Sequence, residues 1–337
     1  MQKKDEEMAI IHKIRHLAKD FYRHHIVCEQ YPMLTSASRR EWQAKGALGL
    51  VYMLHHVTEK NPKGVPTNED LKVSPRCLEK IIIRYKKRSF DFISLDQLHG
   101  VITSDGEPAR PFVAFTLDDG YLDNYTEALP VFERHGVPFT IFVATDFIDR
   151  KAILWWDSVE ALILRNDEIT TGDGRTFPCN TFQQRWDSFR LLRQEILRSD
   201  QQNLEEELKR LFSHYDIDWR EPVSRQAMTW EQVRDISRHQ LCTIGAHTVS
   251  HPALNKVTDE RFHFEIAEGR KKLESVVGGR IRHFAYPYGT VNEIGSRERR
   301  LISEYGFDTI FFSDGGCVTT ADKHHADALP RIYLHEY

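Results

Sequence analysis

Apolar positions at helical spacing, Met8, Ile11, Ile14, Leu17 and Phe21, open the chain and give way to the polar, irregular stretch LTSASRREWQAKG. This periodicity predicts a helical N-terminal extension over residues 1–47. From LGLVYMLHHV onward the texture changes. Short runs rich in β-branched and aromatic residues, FDFISL, PFVAFTL, PFTIFVAT, LCTIGAHT, RHFAYPYG and FDTIFFS, alternate with amphipathic stretches at 121–135, 229–240 and 258–277. Alternation of this kind predicts an α/β fold with parallel strands joined by helical crossovers, as either a barrel or an open doubly wound sheet. Residues 48–337 are expected to form this unit. A charged segment of mostly helical period, residues 150–227, reads as an insertion on its rim.

In both architectures, reactive groups collect where strands end. FTLDDGYLDNY places Asp118 and Asp119 side by side at such an end. Adjacent carboxylates repel, and burying either without a partner costs on the order of several kcal/mol, so a cation is expected beside them. A second strand end, IGAHTVSHPAL, carries His247 and His251 four residues apart. On a helix the two imidazoles would share one face and one metal; taken alone they read equally well as surface or satisfied core histidines. Two imidazoles and one carboxylate together leave open positions on a divalent ion, as a catalytic site requires. The other aspartate is then free to act as a base on water whose pKa the ion lowers toward roughly 7. The third strand end, RHFAYPYGTVN, stops at Pro287, Tyr288 and Gly289. Its turn would present the Tyr288 N–H to a developing oxyanion, or serve simply as a turn.

Hydrophobic residues make up 40% of the chain and charged residues 28%, ordinary values for a globular protein. The net charge of −4 argues against a general nucleic-acid binder, and the basic runs YKKRS and RERR read as solvated helix faces. No apolar run approaches the roughly 18 residues of a membrane span. Charges interrupt the N-terminal stretch too often for a signal peptide, so a cytoplasmic location is expected. Five scattered cysteines, an odd number without paired spacing, fit reduced thiols.

TLDDG, HTVSHP and FAYPYG, in this order, resemble the first three motifs of the polysaccharide deacetylases, carbohydrate esterase family four with its NodB-homology domain. The resemblance spans residues 48 to 335. YMLHHV, ILWWD, MTWEQV and LPRIYL are similar to segments of the branch found in bacterial surface-polysaccharide clusters. It implies a distorted (β/α) barrel and metal-dependent hydrolysis of an acetyl group on a saccharide, here an N-acetylated sugar of surface-polysaccharide or glycoconjugate biosynthesis. By the same resemblance Asp118 is the base and Asp119, His247 and His251 hold a divalent metal. Zinc comes first, and cobalt, nickel and iron also suit this ligand set. Tyr288 would supply the oxyanion-hole amide.

Aromatic rings suit sugar faces, which makes Tyr121, Tyr286 and Trp155 candidates for substrate contact, with Arg331 as a fourth. Many family members tether the catalytic aspartate with an arginine three residues before the third-motif tyrosine. That position is Ala285 here, and Arg331 of LPRI is the candidate replacement. The Asp/Trp signature of the family's fourth motif is not visible. Many members take the general acid from a late strand, for which His335 is the counterpart. In the surface-polysaccharide branch the permuted first strand carries it, which points to His55, with His56 turned to the opposite face. Two other readings stay open: hydrolysis of a different amide, such as a cyclic ureide, or glycan binding without catalysis. The oligomeric state is left open.

Overall fold

A computed structural model describes residues 40–336 apart from positions 43 and 314. The expected N-terminal helix lies almost wholly outside these residues. Thirteen strands follow one another among them: β1 (Ala47–Leu54), β2 (His56–Val57), β3 (Lys72–Val73), β4 (Asp91–Phe92), β5 (Phe112–Asp119), β6 (Phe139–Val143), β7 (Glu168–Thr170), β8 (Thr176–Pro178), β9 (Cys242–Ala246), β10 (His283–Ala285), β11 (Thr309–Phe311), β12 (Val318–Thr319) and β13 (Ile332–Tyr333).

Nine of them form one curled sheet in the order β11-β10-β9-β6-β5-β1-β12, with β13 also on β1 and β4 on the start of β5. All its pairings are parallel except that of β1 with β12. Helices cover the outer face, so both faces are dry and the strands read as continuous apolar runs. All eight residues of β5 are buried. The inner face packs Val51, Phe112, Ala114, Phe142, Ala285 and Phe311 into one cluster. Gly245 makes room there, since a Cβ at that position would meet the Phe142 ring at 2.4 Å.

The two ends of the curled sheet are drawn together by the last segment of the chain. Ile310 donates to the Ala326 carbonyl (2.8 Å), Leu329 to Ile310 (2.9 Å) and Phe312 to Leu329 (3.0 Å), after which the chain runs into β13 beside β1. The fold is therefore the expected α/β barrel type, distorted and incompletely hydrogen-bonded.

The helical stretches form for local reasons. Thr229 and Gln232 close a capping box at the start of Trp230–Ile236. Asp259–Val277 begins at Thr258, whose side chain accepts from the Arg261 N–H, and ends at Gly278 in the left-handed conformation. Within 121–135 a π-helical turn, Asn124–Ala128, precedes the α-helix Leu129–His135.

Between β6 and β9 stand the helices Trp155–Arg165, Phe182–Arg198, Leu204–Leu211 and Glu221–Gln226, together with the antiparallel β7–β8 hairpin. Val159, Ile163, Phe189, Leu192 and Ile196 give this segment an apolar cluster of its own. Arg150 ties its two ends, donating to the carbonyls of Met228 (2.6 Å) and Ala227 (2.7 Å). No helix among the described residues is long and apolar enough to cross a membrane.

Candidate active site

The C-terminal ends of β5, β6, β9 and β10 meet at one rim, with Asp119 level with Val143 and Val143 level with Ala246. Asp118 continues the inward phase of Ala114 and Thr116. There it meets Arg331, fully buried, in a fork of two bonds: Nη1 to Oδ1 at 2.6 Å and Nη2 to Oδ2 at 2.8 Å. Nη1 also reaches Thr116 Oγ1 (3.1 Å), Nε reaches the Phe312 carbonyl (3.3 Å), and the guanidinium lies over the rings of Phe142 and Phe311. Burial works to raise the Asp118 pKa, but Arg331, helped by His247 and His55, outweighs it and holds the carboxyl below its ordinary value. Arg331 thus fills the tethering role that Ala285 cannot.

Asp119 is treated in the opposite way. A left-handed φ of 75° turns it out of the strand phase, and Gly120 follows at 97°. Its Oδ1 lies 3.5 Å from His247 Nε2 and 3.3 Å from His251 Nε2, and it is buried without a hydrogen-bond partner. Burial first, and then the Asp118 charge, push its pKa well above the ordinary value, while the Tyr121 hydroxyl opposes them. His247 Nδ1 lies 2.8 Å from the Ala285 carbonyl. A carbonyl only accepts, so this nitrogen carries the proton and Nε2 keeps its lone pair toward Asp119.

His251 does not arrive by way of a helix. Residues 247–253 are neither helix nor strand, and left-handed Thr248 (φ 70°) and His251 (φ 60°) bring the second imidazole round. The ligand atoms of Asp119, His247 and His251 all lie within 4.8 Å of one another. An orphaned carboxylate oxygen facing two imidazole nitrogens is a donor set that fits a divalent cation.

Around this triad, His55 and His56 part company at the end of β1. His55 bears electrostatically on both Asp118 and His251, and its Nδ1 is buried without a partner. Burial chiefly, with Arg331, His56 and His247, lowers it to about 4 against the pull of Asp118. His56 turns instead to Asp123 (2.7 Å) and lies against the Tyr121 ring, with centroids 3.6 Å apart. His335 sits beside Tyr333 (5.8 Å), which also lies along the His55 ring at 6.1 Å. Tyr288 has a φ of 58°, and its N–H finds no acceptor among the described residues. Its carbonyl accepts from Ser313 Oγ (2.5 Å), and its ring stands edge-on to His251 at 4.8 Å.

The four expected substrate contacts need correction. Tyr121, Tyr286 and Trp155 are each 1% exposed and Arg331 is 0%, which leaves no ring face or guanidinium edge for a sugar. Trp155 Nε1 is spent on the Tyr288 hydroxyl (3.1 Å), and the Tyr286 hydroxyl on the Glu298 carbonyl (3.3 Å). Trp156 and Tyr288 are the half-buried aromatic side chains beside the His251 ring, at 5.5 and 4.8 Å. Sequence reasoning also passed over Glu265, which is fully buried behind the histidine turn. Its signal was a carboxylate next to the apolar stripe Phe262, Ile266 and Leu273.

Comparison with known proteins places these features in context. The family model for polysaccharide deacetylase matches residues 105–310. A Bacillus subtilis protein assigned as a polysaccharide deacetylase, YxkH, is 20% identical over 243 residues, which cover 72% of this chain and 57% of that protein. The chain therefore spans little more than half the length of that relative. Among solved structures, the Streptococcus pyogenes deacetylase PplD, determined with acetate, aligns at a TM-score of 0.57 and 15% identity over 86% of this chain and 93% of its own. IcaB from Ammonifex degensii aligns at 0.56 and 17% identity over 86% and 92%. At such identities these two likenesses are of fold.

Proposed function

The chain belongs to the polysaccharide deacetylase family, and on that premise we propose that it hydrolyses the N-acetyl group of a saccharide, with Asp119, His247 and His251 holding a divalent metal and Asp118 acting as base. The substrate we favour is a sugar of surface-polysaccharide or glycoconjugate biosynthesis, on the strength of the YMLHHV, ILWWD, MTWEQV and LPRIYL segments. One observation carries the reading. Two neighbouring buried carboxylates are handled oppositely, Asp118 neutralised by Arg331 and Asp119 Oδ1 left facing two imidazoles with no partner.

Zinc suits this ligand set and, when bound, would acidify water and polarise the acetyl carbonyl. The remaining work falls to the chain. Asp118, kept ionised by Arg331, takes a proton from the attacking water. The free Tyr288 N–H is available to the negative charge that grows on the acetyl oxygen. The departing amine needs a proton, and His55, at the end of β1 and close enough to Asp118 to bear on it electrostatically, is the imidazole assigned to deliver it. With its pKa lowered to about 4, His55 is neutral at rest and must gain its proton within the turnover. Trp156 offers an apolar face to the pyranose ring. Acetate release from a panel of N-acetylhexosamine oligosaccharides by the zinc-loaded protein tests the proposal, and silence across the panel would refute it.

A further inference from the structure

The turn that delivers His251 is strained and is gripped from behind. Thr248 and His251 both occupy the left-handed region, at φ 70° and 60°, which non-glycine residues seldom adopt without support from their surroundings. Some support is local, since the His251 N–H donates to Thr248 Oγ1 at 3.0 Å. On one side, Thr145 and Asp146 donate their N–H groups to the carbonyls of Thr248 (3.2 Å) and Val249 (2.8 Å).

The other side is the helix Asp259–Val277. Glu265 Oε2 accepts the N–H groups of Val249 and Ser250, both at 2.8 Å, and Oε1 accepts Ser250 Oγ at 2.6 Å. Arg261 completes the cluster, with Nε 2.9 Å and Nη2 2.6 Å from the same Oε1. One turn further along, Gly269 lets the helix close on the loop: a Cβ there would stand 3.0 Å from the Thr248 carbonyl. A carboxylate with four donating groups, two of them consecutive backbone amides, fixes the direction of the chain between them.

We infer that Glu265 is a positioning residue for the metal centre, holding the left-handed turn Thr248–His251 so that His251 Nε2 faces Asp119 Oδ1. The inference rests on the metal-site reading above. The helix then acts as a template for the ligand set, and metal affinity depends on a side chain that touches none of the ligands' donor atoms. A merely structural buttress would behave differently, lowering stability while leaving the folded molecules' affinity unchanged.

Glu265→Gln separates the two, because it keeps the size of the side chain but removes the charge and replaces one acceptor with a donor. Zinc affinity is measured by competition with a chromophoric chelator, the ligand geometry by the visible spectrum of the cobalt-loaded protein, and metal-free stability by thermal unfolding. The expected result is zinc binding weaker by about 10–100-fold, the usual effect of losing an outer-sphere partner, with an altered cobalt spectrum. A folded variant with the parent's zinc affinity and cobalt spectrum overturns the inference, whatever its unfolding temperature, and leaves the metal site itself standing. Should Glu265→Gln not fold, Ser250→Ala removes a single donor and is read by the same two measurements. A parent protein that binds neither zinc nor cobalt overturns the metal site and this inference together.

Discussion

Replacing Arg331 with methionine removes the guanidinium from Asp118 while keeping an unbranched chain in the slot between Phe142 and Phe311. The substitution deletes both bonds to the carboxylate and those to Thr116 and Phe312. Breaking a buried pair by deleting one partner costs about 3–5 kcal/mol, because a charge is left without compensation. Asp118 can escape part of that cost by taking up a proton, at about 1.4 kcal/mol per pKa unit. The two responses are linked and make opposite pH dependences. In the parent the Asp118 pKa is depressed, so its contribution is present above the unfolded value of about 3.9 and is lost as pH falls through the folded value. In Arg331→Met the largest effect opposing burial is gone, leaving His247 and His55 against it, and the folded pKa should rise above the unfolded one. The folded state then holds the proton longer, and stability falls as pH climbs between the two values. Urea unfolding of the metal-free proteins across that range reads the slope. Acetate release at neutral pH should drop by about 10²–10⁴-fold, the usual worth of a general base, and Arg331→Lys, which keeps charge without the fork, should fall between. A methionine variant with the parent's stability and rate would refute the tether.

Asp118→Asn should retain the parent's zinc content and lose about 10²–10⁴-fold in rate, whereas Asp119→Ala, His247→Ala and His251→Ala should lose zinc and activity together; metal analysis beside the acetate assay distinguishes them. His55→Ala should cut the rate with zinc retained and His335→Ala should not, so a loss confined to the His335 variant would reassign the acid. Trp156→Ala should raise KM for an oligosaccharide more than it lowers kcat, and an unchanged KM would remove that ring from the binding face.

How much of this was legible in the sequence follows from how local each feature is. The strand runs, the motifs at their ends and the capped helices depend on residues within a few positions of one another, and they stand where the periodicity placed them. Two kinds of feature did not. The histidine turn depends on backbone conformation, and a spacing of four fits a helix as readily as this turn, because nothing in HTVSH announces two left-handed residues. The substrate contacts depend on burial set by distant parts of the chain. Tyr121 disappears under His56, Tyr286 stacks on Phe312 and Trp155 turns to Tyr288. Aromatic character alone could not separate Trp155 from Trp156, although one is a core residue and the other faces the triad.

The pairing of Asp118 and Asp119 shows how a local rule and a long-range contact combine. A strand sends successive side chains to opposite faces, so two adjacent carboxylates at the end of β5 cannot share one environment. Asp118, in phase with Ala114 and Thr116, is delivered to the interior, where burial works against its charge and the Arg331 guanidinium does most to hold it ionised. Arg331 reaches that point from the segment that draws the ends of the curled sheet together, with its Nε on the Phe312 carbonyl and its fork on Asp118. Ala285 packs with the same Phe142 and Phe311 whose rings the guanidinium covers and brings no charge of its own there. Asp119, out of phase and turned further by its left-handed φ, is delivered to the rim beside His247 and His251, within reach of an exchangeable ion. Closing the sheet thus supplies the permanent counter-charge for one carboxylate, and the rim leaves the other facing two imidazoles, where the proposed metal would sit.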